Sequence, residues 1–142
     1  MQAISFSWAT EAELKRLPEI LSYNSRLANA LSHDLKDNGK NSFFVAKEGK
    51  KVVGYVVFEQ DYLNRIFVKG KYRGRLNLFR RLLSSSLRHQ FDKNPGFDSI
   101  AGILDADKKS GQRRLERGFE SLGFSEVGNG FFSVSRRKFS AL

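Results

Sequence analysis

Apolar and polar side chains alternate at the start of the chain, with Ile4, Phe6 and Trp8 set against Gln2, Ser5 and Ser7. A period of two marks a half-buried strand. Thr10-Glu11-Ala12-Glu13 follows, and a threonine three residues before a glutamate is the pattern of a capping box, so a helix starts there. Pro18 is expected to divide that helix from a second one, in which Ile20, Leu21, Leu27, Leu31 and Leu35 recur at helical spacing until Asn38-Gly39 stops it.

From Phe43 the period changes again. Phe43-Phe44-Val45-Ala46, a turn at Glu48-Gly49-Lys50, and Val52 to Phe58 read as a hairpin whose second strand is long and strongly apolar. Leu63, Ile66 and Val68 form another strand close behind. A glycine-punctuated basic loop, Lys69 to Arg75, leads into a helix carrying Leu76, Phe79, Leu82, Leu83, Leu87 and Phe91, closed by Asn94-Pro95-Gly96. Ile100 to Leu104 is a short strand, Asp107 to Ser121 a basic helix, and Glu126 to Val134 a hairpin around Gly128-Asn129-Gly130. The order predicts an α/β (α+β) fold with one central sheet, in a single domain over residues 1–142.

Composition narrows the chemistry. No cysteine occurs, which excludes a disulfide scaffold, a thiolate zinc site, an iron–sulfur centre and a cysteine nucleophile. The two histidines have no metal-spaced partner, so no metal site is expected. No apolar run reaches the roughly 18 residues that span a bilayer, and no signal-peptide pattern opens the chain; a cytoplasmic protein with no membrane association is expected.

Charge changes the picture further. The net charge is +10, yet basic and acidic residues balance over positions 1–64. The excess begins at Arg65, and between there and Lys93 Asp92 is the one acidic residue; a second basic cluster runs from Lys108 to Arg117. A basic surface can serve solubility alone. Concentration beside a turn-helix junction instead points to an anionic partner, a phosphorylated cofactor or nucleic acid.

That junction has a physical claim on anions. The first amides of a helix lack intrahelical partners, and the macrodipole adds about half a positive charge there. A phosphate or diphosphate at the amides of Arg75, Leu76, Asn77 and Leu78, flanked by Arg73 and Gly74, is therefore expected.

Two stretches carry a family resemblance. Ile66-Phe67-Val68-Lys69-Gly70-Lys71-Tyr72-Arg73-Gly74-Arg75-Leu76-Asn77-Leu78 resembles the strand-loop-helix motif of the GNAT acyl-CoA-dependent N-acetyltransferases, and Phe119-Glu120-Ser121-Leu122-Gly123-Phe124 is similar to the family's aromatic-x-x-x-Gly-Phe helix end. The resemblance implies a mixed sheet of about six to seven strands flanked by about four helices and splayed between its fourth and fifth strands, with acetyl-CoA in the splay. It implies cofactor contacts at Phe67, Val68, Arg73, Gly74, Arg75, Leu76, Asn77 and Leu78, with the Val68 amide as oxyanion donor. Leu76 and Leu78 stand where the family usually has a glycine or alanine, and Phe119 where many members carry a proton-donating tyrosine.

Acetyl transfer also needs a base for the amine proton. Glu59, ending the long apolar strand, is the first catalytic expectation, because apolar surroundings can raise a carboxyl pKa; Asp105, after the fifth strand, is the second. For either, the plainer reading is a solvated strand-end carboxylate or a partner for the nearby arginines. His33 and His89 read as surface or capping residues, Ser84-Ser85-Ser86 as helix surface or a small-residue contact, and Arg136-Arg137-Lys138 as a solubilising tail or, second to that, a nucleic-acid contact; Trp8 and the phenylalanines read as core, with Tyr55 or Phe67 the alternative lining of an acceptor channel. The expected function is acetyl-CoA-dependent N-acetylation of an amine on an anionic or nucleic-acid-associated acceptor, by a monomer or homodimer. Polyamines are disfavoured by like charge. The alternative is a catalytically degenerate domain serving as a nucleic-acid- or protein-binding module.

Overall fold

The computed structural model describes residues 3–20, 29, 31–33, 35, 42–72, 74, 77–103 and 109–142. In chain order its elements are β1 (Ile4–Trp8), α1 (Glu11–Ile20), β2 (Phe43–Glu48), β3 (Lys51–Glu59), β4 (Tyr62–Val68), a 3₁₀ turn at Gly70–Tyr72, α2 (Leu78–Lys93), β5 (Ser99–Ile103), α3 (Lys109–Ser121), β6 (Ser125–Gly128), β7 (Phe131–Ser135) and α4 (Arg136–Ser140). Residues 29, 31–33 and 35 are also helical and belong to the second helix read from the sequence; Leu21 and Leu27 lie outside the described residues.

The capping box forms as expected: the Thr10 amide donates to Glu13 Oε1 at 2.9 Å, and the Glu13 amide donates to Thr10 Oγ1 at 3.2 Å. Pro18 does not end α1, which continues to Ile20. Pro18 lacks the amide that would bond back along the helix, so α1 runs through it with one ladder bond missing, while Leu17 beside it is fully buried.

Seven strands form one sheet in the order β1-β2-β3-β4-β5-β7-β6. Every neighbouring pair is antiparallel except β4 and β5, which are parallel. The alternation of side chains divides the core between the two faces of the sheet. Phe43, Val45, Tyr55, Val57 and Phe67 meet Leu17 and Leu31 on one face. Phe44, Val56, Phe58 and Leu63 meet α2 and α3 on the other through Leu82, Leu83, Leu87 and Phe119. Gly54 permits the approach of α2: a Cβ there would lie 2.8 Å from the Phe67 carbonyl oxygen and 3.2 Å from Leu82 Cδ2.

The chain after β7 is not a solvated tail. Ser135 caps α4 by accepting from the Lys138 amide at 3.0 Å, and Phe139 is buried. Arg136 donates to the Phe97 carbonyl at 2.9 Å and the Asn94 carbonyl at 2.6 Å, tying α4 to the end of α2. Ser86 takes the second of its two readings, a small-residue contact: it is fully buried and donates to the Leu83 carbonyl at 2.8 Å. Among the described residues no helix is long and apolar enough to cross a membrane.

Candidate functional site

The pairing of β4 with β5 is short. Tyr62 lies opposite Ala101 and Leu63 opposite Gly102, and no pair follows. The β3–β4 register shifts at this point: Val57 is opposite Arg65 and Phe58 opposite Leu63, leaving Asn64 as an extra residue on β4. A bulge bends its strand and increases local twist, so β4 turns away from β5 immediately after the last shared pair. Gly102 allows the two strands to close there, since a Cβ on it would lie 3.1 Å from both Leu63 Cβ and the Leu63 carbonyl oxygen.

The Lys69 amide donates to the Val53 carbonyl at 2.8 Å, and Val68 is opposite Gly54. Bonded and non-bonded pairs alternate along an antiparallel ladder, so the amides of Ile66 and Val68 are directed to the β5 side of β4, where β5 has diverged. A wedge thus opens beside the last residues of β4 and widens toward the loop that follows.

That loop is fixed to the sheet by Tyr72, which is buried and donates its hydroxyl to Glu48 Oε1 at 2.8 Å. Gly74 has φ 76°, and Asn77, the N-cap of α2, has φ 51° and makes no side-chain capping bond. The first-turn amides of a 16-residue helix are therefore without a side-chain cap. Leu78 points into the core, 2% exposed, so its bulk does not lie over the helix start. Lys69 and Lys71 flank the turn, with Lys51 across from them. Burial, and after it the ammonium groups of Lys51 and Lys71, hold the Lys69 pKa below the ordinary lysine value. A cluster of like charges beside uncapped amides is an environment that an anion relieves.

Of the residues expected to act here, the structure brings together Val68, Gly74, Asn77 and Leu78. Arg73, Arg75, Leu76 and Asp105 lie outside the described residues. Phe67 is buried on the opposite face of β4, its ring 5.6 Å from that of Tyr55. Glu59 is exposed at the tip of the β3–β4 hairpin, opposite Tyr62, at the closed end of the wedge. At about 3.3 Å per residue, the six steps from Tyr62 to Val68 put it roughly 20 Å from the loop. Phe119 is fully buried, with its ring 4.6 Å from Phe124 and 6.3 Å from Phe132, so this position is part of the core. Asn64, Gly102 and Lys51 were not legible as site residues. Nothing local marks them; their roles come from strand register and from the approach of β3 to the loop.

Comparison with known proteins places this geometry. A sequence model described as Acetyltransferase (GNAT) domain matches residues 10–134. No curated relative matches by sequence. Among solved structures, the chain is similar to PH1933 from Pyrococcus horikoshii OT3, with TM-score 0.70 and 21% identity over 94% of this chain and 99% of that one. It is similar to the ribosomal-protein-S18-alanine N-acetyltransferase from Escherichia coli, with TM-score 0.69 and 15% identity over 94% of each chain. A GNAT family acetyltransferase from Brucella melitensis, solved in complex with acetyl-CoA, superimposes with TM-score 0.67 and 10% identity over 96% of this chain and 90% of that one. These likenesses show the fold.

Proposed function

The chain belongs to the GNAT acetyltransferase family, and from that premise we propose that it transfers the acetyl group of acetyl-CoA to an amine on an anionic or nucleic-acid-associated acceptor. The observation that carries the reading is the opening of β4 from β5 directly ahead of an uncapped, lysine-flanked helix start.

Each part of the wedge has a task in this reaction. The first-turn amides of α2, with Lys69 and Lys71, hold the diphosphate of the coenzyme. Val68 directs its amide at the thioester carbonyl, where negative charge develops when the amine attacks. Acetyl-CoA supplies an activated acyl group and a thiolate leaving group; the amine nitrogen bonds to the acyl carbon, the carbon–sulfur bond breaks, and the amine's proton passes to a base. Because Glu59 lies at the closed end of the wedge, the proposed base is Asp105, two residues beyond β5. Phe119 has no proton to give, so the thiolate is protonated by solvent.

Two features support the acceptor class. The charge excess lies in the segment that builds the wedge and its following helix, which repels polycationic acceptors. The Escherichia coli neighbour acts on a protein of the ribosome. Release of free thiol from acetyl-CoA, followed with ribosomal proteins, aminoacyl-tRNA and spermidine as acceptors, tests the reading. Turnover with either of the first two and its loss in Asp105→Asn are expected. Turnover with spermidine alone, or none with any amine while acetyl-CoA binds, contradicts it; the latter supports a binding module that has lost catalysis.

A further inference from the structure

On the face of α2 turned away from the sheet lies a groove of about 740 Å³, beginning at Asn77 and ending at Asp92. Its floor is the helix itself. Arg80, Ser84 and Arg88 follow one another at four-residue spacing, and Arg81 and Ser85 run beside them. The serines leave the middle low, and arginines stand at both ends. Asp92 is the one side-chain carboxylate among the lining residues. The Arg88 side chain is exposed and has neither a hydrogen bond nor an acidic partner among the described residues. Arg80 spends only its Nε on the protein, donating to Ser121 Oγ at 3.2 Å.

Arginine forks and serine hydroxyls are donors suited to phosphate oxygens. The eight steps from Arg80 to Arg88 span about 12 Å of helix, which matches three to four nucleotides of one duplex strand at roughly 3.4 Å each along the axis. The aromatic rings in the groove decide between paired and unpaired strands. Phe6 lies under the guanidinium of Arg81 at 5.3 Å, Phe91 lies under that of Arg136 at 4.8 Å, and Phe139 is buried. Among the described residues the phenylalanine rings of the groove are thus taken, and the exposed His89 ring is held by Phe44, 4.9 Å away, and by the Ser85 carbonyl, 2.8 Å from its Nδ1, whereas single strands depend on several open rings for stacking. We infer that the outer groove of α2 binds the phosphate backbone of a base-paired nucleic acid, independent of sequence. The inference specifies the polyanion in the function proposed above and rests on that reading.

Binding is measured without acetyl-CoA, so that failure here and failure of catalysis are read apart. The probe is a fluorescein-labelled 20-base-pair DNA duplex of mixed sequence, followed by anisotropy across a salt series. Arg88→Gln is expected to weaken binding about three- to tenfold and to lower the log–log salt slope by about 0.9, the loss of one phosphate contact. Ser84→Glu, which places a negative charge on the floor and leaves every arginine in place, is expected to weaken it at least as much. Lys15→Gln, the same loss of charge on α1 across the sheet, is expected to leave both quantities as in the parent. The inference is overturned by an unchanged slope in Arg88→Gln, by an equal loss in Lys15→Gln, by a single strand of the same length binding as tightly, or by polyglutamate displacing the duplex at equal charge.

Discussion

Leu63 of β4 lies opposite Gly102 of β5, and beyond that pair the two strands separate. The pair is the hinge of the wedge, and it closes only because Gly102 has no side chain to meet Leu63. Gly102→Val is therefore expected to cost about 1–3 kcal/mol through overpacking. Urea unfolding checks the stability, and calorimetry with acetyl-CoA is expected to show weaker binding. Unchanged stability and affinity would mean that β4 and β5 are not closed against each other at this pair.

Gly54 controls the other side of β4. Gly54→Ala drives a Cβ to 2.8 Å from the backbone oxygen of Phe67, where no side-chain rotation relieves it, and to 3.2 Å from Leu82. The expected cost is about 1–3 kcal/mol, read as a lower denaturation midpoint at constant slope. A variant as stable as the parent contradicts the close packing of α2 on β3.

Lys69 gives the loop a signature in alkaline solution. Its pKa is held below the ordinary lysine value by burial first and by Lys51 and Lys71 next, so a bound diphosphate shifts it upward. Between the two values binding takes up a proton, and affinity for coenzyme A falls as pH rises through that window. Calorimetry in two buffers of different ionisation heat measures the uptake. The uptake is expected to vanish in Lys69→Gln; binding without proton uptake in the parent places the anion elsewhere.

Acid stability of α1 depends on Glu13. Burial pushes its carboxyl pKa up, but the Lys47 ammonium at 2.6 Å and the Thr10 amide outweigh this and hold it below the usual glutamate value. A depressed folded pKa contributes stability above the unfolded value, and that contribution is lost as pH falls through the folded one. Glu13→Gln keeps the capping geometry and removes the ion pair, whereas Glu13→Ala removes both, at a cost of about 0.5–2 kcal/mol near neutral pH. Denaturation from pH 7 downward is expected to bring Glu13→Gln and the parent together in acid, while Glu13→Ala keeps the part of its deficit that comes from the lost cap; a constant gap for Glu13→Gln contradicts the assignment.

Local pattern made much of this fold legible. The capping box at Thr10, the alternation in β1 and the apolar run of β3 each follow from neighbours in the chain, and the glycine-punctuated basic loop marked the helix start proposed to hold an anion. Relations set by register were not legible from pattern alone. Glu59 ends an apolar strand, but in a tight hairpin the end of β3 meets the start of β4, away from the loop, and that count of chain direction was the available signal. The Asn64 bulge and the Leu63–Gly102 contact exist only once three strands are paired. Arg136-Arg137-Lys138 resembled a tail because its charges hide a capped turn, which Ser135 before it and the apolar Phe139 within it do mark.

The account stands on the uncapped start of α2 holding a coenzyme diphosphate while the arm of the coenzyme runs into the wedge. The most direct test is an electron-density map of crystals grown with acetyl-CoA. Density for the diphosphate at the amides of Leu78, Phe79 and Arg80, with the thioester beside Val68, is the predicted result. A map at full ligand concentration in which that corner and the gap between β4 and β5 hold no coenzyme contradicts the account.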